Sequence, residues 1–301
     1  MDHTGRPVRI ASLSFPAGTD PRRVAAAVDA EGARGCDLVA LPETWMGQAD
    51  HEPEDLNGPS VTLMSELARR HATYVVCPID RIEGTRRLNT AVLIDRGGEV
   101  AGCYDKVFTY WSEFEVTPPV GVGTTVPVFD TDLGRIGITT CFDVNFPEVW
   151  QRLAEQEAEL VIWPSAYSAG TSLQAHALNH HFYIVTSTQT CDCLVYDITG
   201  RQLLYEQAAG FNASRFTLDL DRGIYHSNYN LDKRDRLLAD HGDAVEQELW
   251  MELESWFVLR ARRPGVSARR LARAYGLEEL RAYIARSRRE IDAMRGFAFQ
   301  S

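Results

Sequence analysis

The stretch RIGITTCFDVNFPE, residues 135–148, passes from an apolar run into a polar turn and then toward a helix, with a cysteine at the junction. Residues 135–140 read as a strand. Asn145 to Pro147 read as a helix entry, where proline is tolerated because its missing N–H has no intrahelical acceptor in the first turn. A thiol at a strand end is held by the rigid sheet while the following loop opens outward, which is where sheet enzymes place reacting groups. On its own, Cys141 is no more than a buried cysteine, the commonest environment of that residue.

Two other segments end in the same way. DLVALPE (37–43) is a short buried strand that closes on Pro42-Glu43, and EVAGCYDK (99–106) is a strand that closes on Asp105-Lys106. Taken singly, Glu43 is a solvated strand-end carboxylate and Lys106 a surface charge. Together, carboxylate, ammonium and thiol on three strand ends suit a covalent hydrolase, because a neighbouring cation favours thiolate and a carboxylate can take and return the proton. The lysine is also unusual in this composition. Of 31 basic residues only Lys106 and Lys233 are lysine, so arginine serves almost everywhere that a positive charge suffices. A retained ammonium marks a place where a compact charge of adjustable pKa is required.

Around these segments the first 220 residues alternate short apolar strands with amphipathic helices. Strands are expected at 8–15, 73–79, 159–165, 183–189, 193–198 and 215–221, hairpins turn at Gly97-Gly98 and at 132–134, and helices cover 20–35, 59–71 and 172–181. A Pro- and Gly-rich loop, TPPVGVGTTVP (117–127), separates the lysine and cysteine segments. There is no internal repeat. The alternation predicts an α/β or α+β layered domain with helices packed on sheets.

Beyond about residue 240 the pattern changes. VEQELWMELESWFVLRARR (245–263) has apolar positions at helical spacing, and residues 267–294 make two helices divided at Gly276. The expected organisation is therefore a main domain over 1–240 and a helical extension over 241–301. The extension has the outline of a helix-turn-helix, as do many helix pairs joined by glycine, and it is locally basic.

A net charge of −11 disfavours nucleic acid as a partner. Six cysteines at 36, 77, 103, 141, 191 and 193 contain no CxxC pair, which argues against a disulfide framework or zinc site. His176 and His180 have the i, i+4 spacing of a metal pair, but no glutamate follows in an HExxH arrangement; no metal and no cofactor are expected. With neither an apolar leader nor a run approaching the roughly 20 residues of a membrane helix, the expectation is a cytoplasmic protein with no membrane partner.

LPETW, YDKVF and GITTCFDVNFPE, in this order and at these separations, resemble the Glu, Lys and Cys motifs of the carbon–nitrogen hydrolase (nitrilase) superfamily. The likeness covers about residues 8–220, and WPSAYS (163–168) adds to it. It implies an α+β, four-layer α-β-β-α sandwich formed when two subunits pair, and hence a homodimer or larger assembly. It also implies Cys141 as nucleophile, Glu43 as general base, and Lys106 with the backbone N–H of Phe142 at the oxyanion. A second glutamate between the Lys and Cys motifs orients the lysine in many members. Glu113 and Glu115 are both candidates, and spacing favours Glu115. Phe142, Trp163 and Tyr167 are expected to line the substrate pocket, with Trp45 and Tyr110 also near motif ends.

The sequence departs from two branches. Nitrilases place Trp and Glu directly after the cysteine, whereas Phe142 and Asp143 stand here. Carbamoylases of N-carbamoyl D-amino acids place basic residues soon after that Asp, whereas Val144 and Asn145 follow. The reading is a thiol amidohydrolase of a small linear amide; the alternatives are an N-carbamoyl compound hydrolase, an acyltransferase or a non-catalytic scaffold.

Overall fold

The computed structural model describes residues 4–48 and 51–298; the first three residues of the polar start lie outside them. Two compact units result, one of Val8–Thr217 and one of Met1–Pro7 with Leu218–Ser301. The division falls at Thr217/Leu218 rather than at 240.

In the larger unit the elements are β1 (Pro7–Ser14), α1 (Pro21–Ala33), β2 (Leu38–Ala40), α2 (Pro59–His71), β3 (Tyr74–Glu83), β4 (Arg86–Ile94), β5 (Val100–Asp105), β6 (Val120–Gly121), β7 (Val128–Asp130) and β8 (Arg135–Ile138). They continue as α3 (Pro147–Glu155), β9 (Leu160–Ser165), α4 (Thr171–His180), β10 (Tyr183–Thr188), β11 (Asp192–Tyr196), β12 (Gln202–Gln207) and β13 (Asn212–Asp219). Helix starts follow the local chemistry. Asp20 caps α1 by accepting from Arg22 N, and Pro21 and Pro59 stand in first turns where their missing donors are not needed.

Two sheets form. One has the order β13-β1-β2-β3-β4-β5 with β6 beside β4, and the other the order β12-β11-β10-β9-β8-β7. Each contains three adjacent parallel strands, β1-β2-β3 and β8-β9-β10. Alternate residues of β1 divide between the faces. Ala11, Leu13 and Phe15 join Val24 and Val28 of α1 and Val61, Met64 and Leu67 of α2 in one core. Ser12 and Ser14 point to the other sheet, where Ser12 Oγ donates to the Thr186 carbonyl at 2.6 Å and Ser187 Oγ to that of Leu13 at 2.6 Å. On the far side of the second sheet, Val161 and Trp163 pack with Trp150 and Leu153 of α3 and Leu173 and Ala177 of α4. The four layers, helices, sheet, sheet, helices, thus exist within one chain, and pairing of subunits is not what creates them.

The smaller unit corrects the helical reading of 245–263. It holds β14 (Gly223–His226), α5 (Leu231–His241), β15 (Val245–Met251), β16 (Trp256–Ala261), α6 (Ala268–Ala274) and α7 (Leu280–Arg295), with an antiparallel sheet in the order β14-β16-β15. The register shifts between Gln247 and Leu249. Such a bulge breaks the period of two, so the apolar spacing imitates a helix, and the turn residues Glu252 and Leu253 are themselves good helix formers. The helix pair at 267–294 is present, with Gly276 at φ 75° after α6. No helix of the described residues is long and apolar enough to cross a membrane.

Trp150 is fully buried, stacks on His176 with ring centroids 4.3 Å apart, and donates through Nε1 to the Asp143 carbonyl at 3.1 Å. Trp150→Ala is expected to lower the urea midpoint with little change in slope, by a stability loss of about 3–5 kcal/mol. A loss below about 1 kcal/mol would show that α3 does not depend on this anchor.

Candidate active site

The parallel strands bring their carboxyl ends to one edge. Glu43 follows β2, Cys141 follows β8, Ala166 follows β9 and Gln189 follows β10. Two antiparallel steps, β3 to β4 and β4 to β5, return β5 to the direction of β3, so Lys106 emerges at that same edge. Lys106 N is held by the Asn89 carbonyl at 2.9 Å, and Gly123 N by the Lys106 carbonyl at 2.8 Å. A Cβ on Gly123 would lie 2.0 Å from the Asp105 carbonyl oxygen, which is why the loop passing the lysine strand needs glycine there.

Cys141 opens a single 3-10 turn, Cys141–Asn145, and has φ 48°. This left-handed backbone costs a residue with a Cβ about 1–2 kcal/mol, and it is held by its surroundings. Asp143 accepts from Thr140 N at 3.0 Å, Phe108 N at 2.8 Å and Tyr104 Oη at 2.6 Å. One carboxylate thereby ties the cysteine turn to the lysine strand and the residues just after it. Trp163 Nε1 donates to the Cys141 carbonyl at 3.1 Å.

The ammonium of Lys106 lies between two carboxylates, 2.8 Å from Glu43 Oε1 and 2.7 Å from Glu113 Oε2. Asn89 Nδ2 bridges the same pair, at 2.7 Å from Glu43 and 2.8 Å from Glu113. Glu43 Oε2 accepts from Ala166 N at 2.8 Å, and Glu113 Oε2 from Tyr110 N at 2.7 Å. All four side chains are buried, as is Cys141. Burial pushes the lysine toward losing its proton, but Glu43, Cys141 and Glu113 outweigh that and hold it charged. Burial first, then Glu43, pushes the Cys141 thiol well up, with Lys106 opposing. A thiol so disfavoured as an anion needs a base to take its proton, and Glu43 lines the same cavity.

A cavity of about 570 Å³ opens onto Glu43, Lys106, Glu113 and Cys141, a size suited to a small molecule. Phe142 and Tyr167 line it. Trp163 does not: it is fully buried and donates to the Cys141 carbonyl. The preference for Glu115 is also corrected. Glu115 is exposed at the end of the short turn Trp111–Phe114, while Glu113 meets Lys106. Counting back through an irregular loop placed the carboxylate two residues too far along.

Asn89 was not anticipated. A lone amide inside the apolar run LNTAVLID was the available signal, because a buried polar group in a strand must find partners. Gln48 and Gln189, from loops without a pattern, also line the cavity, as do Tyr110 and Asn145. The His176 pair is absorbed by packing. His176 stacks on Trp150 and bonds the Val144 carbonyl at 2.9 Å, and no group of three metal-ligating side chains occurs among the described residues.

The carbon–nitrogen hydrolase family model matches residues 21–217. The chain belongs to that family. The chain is 27% identical over 190 residues to an omega-amidase of Arabidopsis thaliana, covering 55% of this chain and 52% of that protein. It is 28% identical over 182 residues to a deaminated glutathione amidase of Yersinia enterocolitica, covering 52% and 63%. The chain spans about half the length of the first of these relatives. Among solved structures it resembles Saccharomyces cerevisiae Nit3, of branch 10 of the nitrilase superfamily, with a TM-score of 0.60, 19% identity, and coverage of 71% and 92%. It also resembles an amidase mutant from Nesterenkonia sp. AN1 bearing the acetamide moiety of fluoroacetamide on its active-site cysteine, with a TM-score of 0.59, 20% identity, and coverage of 72% and 90%. These likenesses establish the nitrilase fold.

Glu113→Gln is expected to cut turnover by at least about 100-fold, whereas Glu115→Gln stays within about twofold, as surface changes usually do. Equal losses in both, measured as ammonia release with folding checked by circular dichroism, would contradict the placement. Burial foremost pushes the Asp143 carboxyl up to about 6 against its hydrogen-bond donors. A raised carboxyl favours the folded state below the unfolded pKa and loses that contribution as pH rises through the folded value. The unfolding free energy of the native protein relative to Asp143→Asn should therefore decline from about pH 4 to 6 and level off above; a difference that does not change with pH would rule this out.

Proposed function

We propose that this chain is a thiol amidohydrolase that cleaves the C–N bond of a small linear amide through a cysteine thioester. The observation that carries the reading is the buried Glu43–Lys106–Glu113 cluster that shares one cavity with Cys141. The sulfur of Cys141 attacks the amide carbon while its proton passes to Glu43, and the carbonyl oxygen becomes an oxyanion. Two of the three N–H bonds of Lys106 are engaged by the glutamates, so the third supplies a charged donor for that oxygen. A first-turn N–H such as that of Phe142 has no intrahelical acceptor and supplies the second.

Collapse breaks the C–N bond as Glu43 passes its proton to the leaving nitrogen, releasing ammonia or an amine. Glu43 then takes a proton from water, whose oxygen attacks the thioester carbon, and the C–S bond breaks to return the thiol and release the acid. Glu113 keeps the ammonium aimed and charged through both halves. The same thioester would serve an N-carbamoyl substrate. Self-association as a homodimer or larger is proposed from the family likeness, and a monomer in sedimentation would exclude it.

Ammonia release from a panel of small amides and N-carbamoyl compounds tests the reading. Cys141→Ala should fold normally and lose turnover entirely, and Lys106→Arg should lose most of it despite keeping the charge, because the planar guanidinium does not fit an ammonium's place between two carboxylates. Turnover that survives Cys141→Ala would exclude the thioester route, and a wild-type rate in Lys106→Arg would exclude the role given to the lysine.

A further inference from the structure

We propose that Arg87 is a positioning residue of this site: it ties together the two loops that bring Gln48 and Glu113 to the cavity, and so sets how tightly the amide is held. The inference rests on the amidohydrolase reading and extends it to a residue that does not line the cavity. Strand geometry prepares the placement. Side chains two apart on a strand share a face, so Arg87 and Asn89 of β4 lie on the same side of their sheet, and Asp80 of β3 stands directly opposite Asn89 in the register. Asn89 bridges Glu43 and Glu113. Two residues before it on that face comes a guanidinium of 3% exposure, paired with the buried carboxylate of Asp80.

All five N–H bonds of Arg87 are taken. Nε donates to Asp80 at 3.0 Å, Nη1 to the Thr117 and Pro118 carbonyls at 3.2 and 3.3 Å, and Nη2 to Asp80 and to the Gln48 carbonyl, both at 2.5 Å. An arginine so saturated has no donor left for a ligand; it gathers backbone. Both segments whose carbonyls it holds carry cavity residues. Gly47 and Gln48 line the cavity, and so do Ser112 and Glu113, whose loop passes through Thr117 and Pro118 into β6, paired with β4 at Arg87 itself.

The two loops depend on the arginine unequally. Glu113 has Lys106, Asn89 and Tyr110 N as donors of its own, so its carboxylate stays on the ammonium without Arg87. The bond from Arg87 to the Gln48 carbonyl is far shorter than the 3.5 Å reach of the Gln48 amide to Glu113. Loss of the guanidinium therefore frees the Gln48 wall while the Glu43–Lys106–Glu113 cluster remains. A loosened wall weakens substrate binding more than it slows the chemical step.

Two variants test this. Arg87→Lys keeps a charge opposite Asp80, but an ammonium has only three donors and no planar fork with which to span a carboxylate and three carbonyls. The double variant Asp80→Asn/Arg87→Met removes both charges together and leaves no buried ion unpaired. With the amide that the panel identifies as substrate, both are expected to raise KM at least about tenfold while kcat stays within about threefold of native. Hydrogen exchange read by mass spectrometry requires no turnover: peptides covering 44–48 and 111–118 should exchange at least about tenfold faster, and the peptide from Cys141 through α3 should not change. An unchanged KM, or unchanged exchange in those two segments, in a folded variant overturns the inference and leaves the hydrolase reading intact. A fall in kcat as large as the rise in KM also overturns it, since the arginine would then be holding the charge cluster itself. Failure of both variants to fold, seen by circular dichroism, overturns it as well and marks the pair as a requirement of the fold. If the native protein turns over no amide, the hydrolase reading falls, and the exchange result alone decides whether Arg87 places the two loops.

Discussion

An ammonium buried between two carboxylates is the constraint on which this molecule is organised. Isolated, a buried lysine loses its proton and a buried glutamate gains one. Brought within 2.7–2.8 Å of one another and bridged by Asn89, they compensate one another in a place where removing any one would leave an uncompensated ion, a loss of about 3–5 kcal/mol. The cluster draws its members from β2, β4, the end of β5 and the short turn after it. The sheet that carries them must therefore form with its register correct before the site can exist.

The second sheet contributes Cys141, and within its largely apolar attachment to the first are directional polar bonds. Hydroxyls of Ser12 and Ser187 bond carbonyls across the interface, and the backbone N–H of Ala166, after β9, reaches Glu43. Small hydroxyl residues fit between two close sheets and fix their offset through directional bonds, which apolar packing alone does less strictly. Asp143 extends the same logic, a single carboxylate accepting from the turn at Cys141 and from the lysine strand and its loop.

What was legible in the sequence follows from which signals are local. Strand ends closing on Glu43, Lys106 and Cys141 were visible because a short apolar run followed by a polar reactive residue is a local pattern, and α2 at Pro59–His71 was bounded by its proline and its basic last turn. Glu113 was not separable from Glu115, because an irregular loop has no period against which to count. Trp163 sits on the strand face turned away from the cavity, information that exists only once the sheets are stacked. At β15 and β16 a bulge and a turn rich in helix formers give paired strands the apolar spacing of a helix.

The left-handed backbone at Cys141 sets two demands against each other. At φ 48° the residue best suited to the chain is glycine, which has no Cβ to strain. A glycine there would relax the turn and delete the sulfur in one step, so the conformation that aims the thiol is one that the residue bearing it disfavours.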